Sequence, residues 1–88
     1  MMFSKSIGTT PTEIVPQNFN RENLTMMNVG SETVYISDNI EPTVADSFPL
    51  AIGMSVTMVL PDDKTMIYRQ YFGIGAAGTG KVKVMQDS

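Results

Sequence analysis

The sequence predicts an all-β domain: a small antiparallel β-sandwich or jelly-roll-like barrel with an extended N-terminal arm. Three observations predict it. Valine, isoleucine and threonine supply 24 of the 88 residues, against 15 for leucine, alanine, glutamate and lysine together. The branched Cβ of the first group suits a pleated strand, whereas the second group favours helix. No window carries a sustained i, i+3, i+4, i+7 apolar stripe between helix caps. Short alternating segments recur instead about every 8–12 residues, separated by glycine, proline and aspartate, as in a sandwich or small barrel.

Residues 1–13 are a polar, Ser/Thr-rich lead with isolated Phe3 and Ile7. Pro11 has no backbone donor and cannot sit in a central strand. The lead therefore reads as an extended arm in front of one domain over residues 14–88. Residues 13–15 make a short first strand, stopped by Pro16, and residues 17–22 are a polar loop. Residues 24–29 alternate, with Leu24 and Met26 on one face and Thr25, Met27 and Val29 on the other. Gly30, Ser31 and Glu32 look like a hairpin turn, with glycine free to take positive φ. In residues 33–37, Val34 and Ile36 alternate against Thr33, Tyr35 and Ser37, so the two segments are expected to pair as a hairpin.

Residues 38–46 form a loop or edge segment broken by Pro42, and residues 48–53 bring the chain back. Residues 55–60 are a strand with Val56, Met58 and Leu60 on one face. Residues 61–64 are a turn, with Pro61 at its second position and aspartates after it. Residues 66–72 read as an aromatic strand and residues 73–80 as a glycine-rich hairpin loop whose exposed tip is free to meet a partner. Residues 81–85 close the domain, with Val82 and Val84 inward and Lys81 and Lys83 outward.

Composition narrows the chemistry. A chain of 88 residues builds one small core of marginal stability, usually supplemented by disulfides, metal or assembly. The absence of cysteine removes disulfides and thiolate metal sites. The absence of histidine removes imidazole zinc sites and histidine-based acid–base and nucleophilic catalysis. Assembly is the supplement left. The net charge is −3, and Lys81 and Lys83 are the nearest approach to a basic stripe, so nucleic acid is not an expected partner. Charged residues make up 17%, below the usual ~25%, as expected of a surface partly covered by neighbours. No run approaches the ~20 apolar residues of a membrane helix, and the N-terminus lacks a signal-peptide pattern.

The glycine loop holds two motifs. Gly73 to Gly78 spell G-x-G-x-x-G, but only ten residues follow, too few for the helix, second strand and acidic residue of a dinucleotide site. Gly75 to Lys81 spell G-x-x-x-x-G-K, but Val82 stands where a phosphate loop needs Ser or Thr, and no helix follows. Asp38, Glu41 and Asp46 share a loop without calcium-loop spacing, and no base is spaced to activate a Ser, Thr or Tyr. No catalytic, cofactor or metal residue is assigned, and the chain is expected not to be an enzyme. Of eight methionines, Met27 and Met85 fall opposite the core faces, where the flexible thioether suits either gap-filling or an adaptable contact surface.

Residues 18–36, NFNRENLTMMNVGSETVYI, carry the pattern N-x-N-R-x-x-L-x-[IM]-x-N-x-G-x-x-x-V-Y-[IV]. A return follows at Pro49-Leu50-Ala51-Ile52-Gly53-Met54-Ser55, and then an aromatic strand, a glycine-rich loop and Val82-Lys83-Val84. Over residues 14–86 this resembles a module of small bacteriophage virion proteins: β-sandwiches serving as capsid decoration or cement proteins, spike or fibre bases, or minor capsid components. The resemblance implies that Arg21 anchors the loop before the strand and Asn28 satisfies the hairpin turn. The 13-residue lead is a departure, since the module does not require it.

The expectation is a non-enzymatic virion structural protein, made in the host cytoplasm, that forms a homo-oligomer, such as a trimer, and binds the major capsid or another virion protein. The expected assembly residues are Phe3, Ile7, Ile14 and Val15 in and beside the arm, with Met27 and Tyr35 on the sheet. The alternative is a receptor- or carbohydrate-binding spike or fibre module, for which Phe19 and Phe48 are the candidate loop aromatics.

Overall fold

The computed structural model describes residues 2–38, 47–59 and 67–87. Among them are eight strands: β1 (Met2–Ile7), β2 (Thr12–Val15), β3 (Asn23–Asn28), β4 (Val34–Ser37), β5 (Phe48–Leu50), β6 (Ser55–Val59), β7 (Tyr71–Ile74) and β8 (Gly80–Asp87). They form two antiparallel four-stranded sheets, β1-β8-β3-β6 and β2-β7-β4-β5. β1 pairs with β8, β2 with β7, β3 with β6 and β4 with β5. The chain is thus a long ribbon folded double at β4–β5 and rolled up, which is the strand order of a jelly roll. The fold is an all-β sandwich, as expected.

Alternation decides which side chains enter the space between the sheets. Leu24, Met26, Val82, Val84 and Met58 of the first sheet meet Ile14, Val15, Val34, Ile36, Leu50 and Tyr71 of the second, with Ile7 and Ile67. Each large aliphatic side chain buried here contributes about 1.5–3 kcal/mol. Ile14 and Val15 are adjacent yet both buried, because the register of β2 on β7 shifts between Glu13 and Val15. Such a bulge turns two successive side chains the same way.

Three expectations change. First, residues 24–29 and 33–37 do not pair: β3 belongs to one sheet and β4 to the other. After β3 the chain runs on along β8, Val29 N–H donating to Lys81 O (2.9 Å) and Ser31 N–H to Thr79 O (3.3 Å), and so crosses the sandwich instead of turning back. Gly30 is required by proximity rather than by positive φ, because a Cβ there would run into the Lys81 backbone nitrogen. Second, the aromatic strand begins at Tyr71, and residues 67–69 are a turn. Their carbonyls are committed to Arg21 and to Asn18 N–H and are lost to a ladder. Third, the glycine loop shrinks to residues 75–79 and joins strands of different sheets, so it too is a crossover and no hairpin.

Residues 1–13, read as an arm, contain β1, which lies along β8 of the same chain over Met2–Ile7 and places Ile7 in the core. The expectations for Pro42, Leu60, Met66 and the turn over 61–64 lie outside the described residues.

Candidate functional site

Two buried polar side chains hold opposite ends of the sandwich. Arg21 follows the polar loop 17–22 and is wholly buried. Its Nη1 donates to Ile67 O (2.7 Å) and Arg69 O (3.2 Å), Nη2 to Pro16 O (2.8 Å) and Nε to Gln86 Oε1 (2.9 Å). The planar guanidinium thus ties the end of β2, the approach to β7 and the end of β8 to the loop before β3. Burial pushes its pKa down and the nearby Tyr71 pushes it up; the group stays charged at neutral pH. On the same end Phe19 is 70% exposed and meets Tyr68 with ring centroids 5.9 Å apart.

At the other end, Asn28 Nδ2 donates to Glu32 O and to Leu50 O, both at 2.7 Å, while Asn28 Oδ1 accepts from Gly30 N–H (3.0 Å). One amide therefore shapes the crossover and joins it to β5. The turn that it satisfies is a crossover and not the hairpin implied by resemblance.

Four connections meet at this second end: residues 8–11, 29–33, 51–54 and 75–79. Gly75 N–H donates to Gly8 O, and Gly53 N–H to Asn28 O, both at 2.9 Å. The Glu32 carboxylate sits inside loop 75–79, where Oε1 accepts from Ala76 and Ala77 N–H (2.9 Å each) and Oε2 from Thr79 N–H (2.7 Å) and Thr79 Oγ1 (3.3 Å). Hydrogen bonds to the charged form, led by the one from Ala77, hold the Glu32 pKa below its usual value despite some opposing desolvation. Beside this loop lies an open depression of about 440 Å³ lined by Ser6, Val29, Gly30, Ser31, Gly78, Thr79, Gly80 and Lys81.

The outer face of the β1-β8-β3-β6 sheet is the broadest surface that the register defines. Met2 stands opposite Met85, Met85 opposite Thr25, and Thr25 opposite Thr57, whose hydroxyls lie 3.1 Å apart. The next row runs Ser4, Lys83, Met27, Ser55. Lys81 and Lys83 are charged residues of this face, and Asp87 holds the register position opposite Asn23 at its far end. Met27 and Met85 are half-buried, and Met2 is 60% exposed.

Of the six expected assembly residues, Ile7, Ile14 and Val15 are core and offer a partner no area in this fold. Phe3 is partly buried against that core. Met27 lies on the outer methionine face. Tyr35 lies on the outer face of the other sheet, opposite Ile74, so the structure does not bring it together with Met27. Sequence reasoning missed Glu32. The available signal was the G-x-x-x-x-G-K loop itself: such a loop gathers backbone N–H groups that accept an anion, whether or not the anion is a nucleotide.

No protein-family model matches the chain, and neither the curated proteins nor the solved structures yield a match.

Proposed function

We propose that the chain is a non-enzymatic structural protein of a bacteriophage virion, which oligomerises and decorates or cements the capsid. The observation that carries this reading is the outer face of the β1-β8-β3-β6 sheet, whose two central rows are methionines, threonines and serines with one lysine, Lys83. Methionine adapts to irregular partner surfaces, and a face poor in charge is cheap to desolvate. The bordering strand β6 (Ser55–Val59) has neither charge nor proline, whereas the other edge strands carry Lys5, Glu13 and Pro49. Charge and proline are the usual guards against pairing in trans, so β6 is the edge suited to strand addition. An ordinary stable interface needs about 800 Å² per partner.

The test is sedimentation of the purified chain with capsids of the source phage, together with its light-scattering mass. Met27→Glu with Met85→Glu should leave a folded protein that no longer assembles or co-sediments, while Tyr35→Glu on the opposite sheet should retain both. Unchanged binding by the double variant overturns the reading.

A second reading has its own observation. The depression beside loop 75–79 is lined by Ser6, Ser31, Thr79 and Lys81, polar residue types that suit a carbohydrate- or receptor-binding module. A glycan screen separates the two, since a cement protein binds capsid and no sugar.

A further inference from the structure

Loop 75–79 has the composition of a phosphate-binding loop and lacks the strand–loop–helix setting, yet it does collect an anion. Three of its backbone N–H groups, at Ala76, Ala77 and Thr79, and the Thr79 hydroxyl converge on the two oxygens of one carboxylate at 2.7–3.3 Å. Gly78, at φ +77°, turns the Thr79 N–H back toward the same point as those of Ala76 and Ala77. A Cβ on Gly75 would lie 2.7 Å from Glu32 Oε2, so the glycine makes room for the carboxylate. These are the parts of a backbone nest. Its occupant comes from the neighbouring crossover, 44 to 47 residues away in sequence.

We propose that loop 75–79 is an anion-binding nest of the carboxylate class, filled by the chain's own Glu32, and that a small external carboxylate takes the same place once that side chain is withdrawn. Two oxygens are needed, one shared by Ala76 and Ala77 and one for Thr79, and a carboxylate spans both. Gly78 and Thr79 also line the adjoining depression, so the occupant of the nest sets the wall of that depression. Glu32 is thus an internal ligand that keeps the four-loop end of the sandwich in one shape.

The experiment uses the full chain and needs no capsid, so its outcome is independent of the virion reading. Thermal midpoints of the native protein and of Glu32→Ala are measured in sodium acetate, sodium chloride and sodium phosphate at matched ionic strength. Acetate should raise the variant's midpoint saturably and shift the amide resonances of Ala76, Ala77 and Thr79, and should leave the native protein unmoved. Equal effects of chloride or phosphate, or an equal acetate effect on the native protein, overturn the proposal. Where Glu32→Ala does not fold, Glu32→Gln serves. Whichever way its carboxamide sits, an NH₂ opposes at least one of the three amides, and exchange of that amide should accelerate about tenfold. Unchanged exchange at all three overturns the proposal.

Discussion

Arg21 is a cation closed inside a small sandwich, and among the described residues it is held by neutral oxygens: three backbone carbonyls and the Gln86 amide. Hydrogen bonds to a charged donor contribute about 1.5–3 kcal/mol each, and a buried carbonyl left without a donor costs a further ~1–3 kcal/mol. Arg21→Met should therefore lose at least about 3 kcal/mol, a large part of the stability of a domain this size. Arg21→Lys should recover little of it, because an ammonium cannot span Pro16, Ile67 and Gln86 at once. Urea midpoints check both variants, and a lysine variant as stable as the native chain would show that the fork geometry is unimportant. The sequence marked Arg21 through a resemblance alone. A lone arginine in a polar loop looks solvated until the carbonyls that it meets, 46 and 48 residues away, are in place.

At the scale of the element, β1 shows how one strand serves two ends. Ile7 is core, while Met2, Ser4 and Ser6 look outward with Met85, Lys83 and Lys81 of β8. Removing residues 1–13 therefore tests folding before it tests assembly: it takes Ile7 away and uncovers the Val82 and Val84 edge. Ile7→Ala should cost about 2–4 kcal/mol by the usual core-truncation scale, read as a lower urea midpoint with an unchanged slope. Met2→Lys, on the outward face, should leave that midpoint within about 0.5 kcal/mol. An Ile7→Ala variant as stable as the native chain would mean that β1 does not dock as described. The inward faces of β3, β4 and β8 were legible, since Leu24/Met26, Val34/Ile36 and Val82/Val84 alternate as the structure has them. Pairing was not. Two strands that share a core show the same alternation whether they lie edge to edge or face to face. Only the onward bonding of Val29 and Ser31 to the β8 side decides that β3 and β4 face each other.

At the scale of the whole molecule, the contact that weakens on acidification is that of Glu32 in its nest. Its folded-state pKa is depressed, so its contribution is complete above the ordinary glutamate value of 4.5 and is lost as pH falls through the lower folded value. Glu32→Gln should be less stable than the native chain at pH 7, and the gap should shrink as the medium is acidified into that window. Urea midpoints at pH 7 and pH 3 measure it; a gap that stays constant would mean that the charge plays no part. The same contact joins the crossover after β3 to the loop before β8, so its loss loosens one end of the sandwich as a unit.

The sequence by itself determined the class of fold, the inward faces of β3, β4 and β8 and the lack of thiol and imidazole groups, because these follow from side-chain branching, alternation and residue counts, which are local. The tertiary structure alone decided the jelly-roll order, the docking of β1 on its own chain, the burial of Arg21 among distant carbonyls and the filling of the glycine loop by Glu32. Each depends on groups far apart in sequence whose partners are backbone N–H and C=O, and every residue but proline carries both, so no pattern of residue types announces which of them meet.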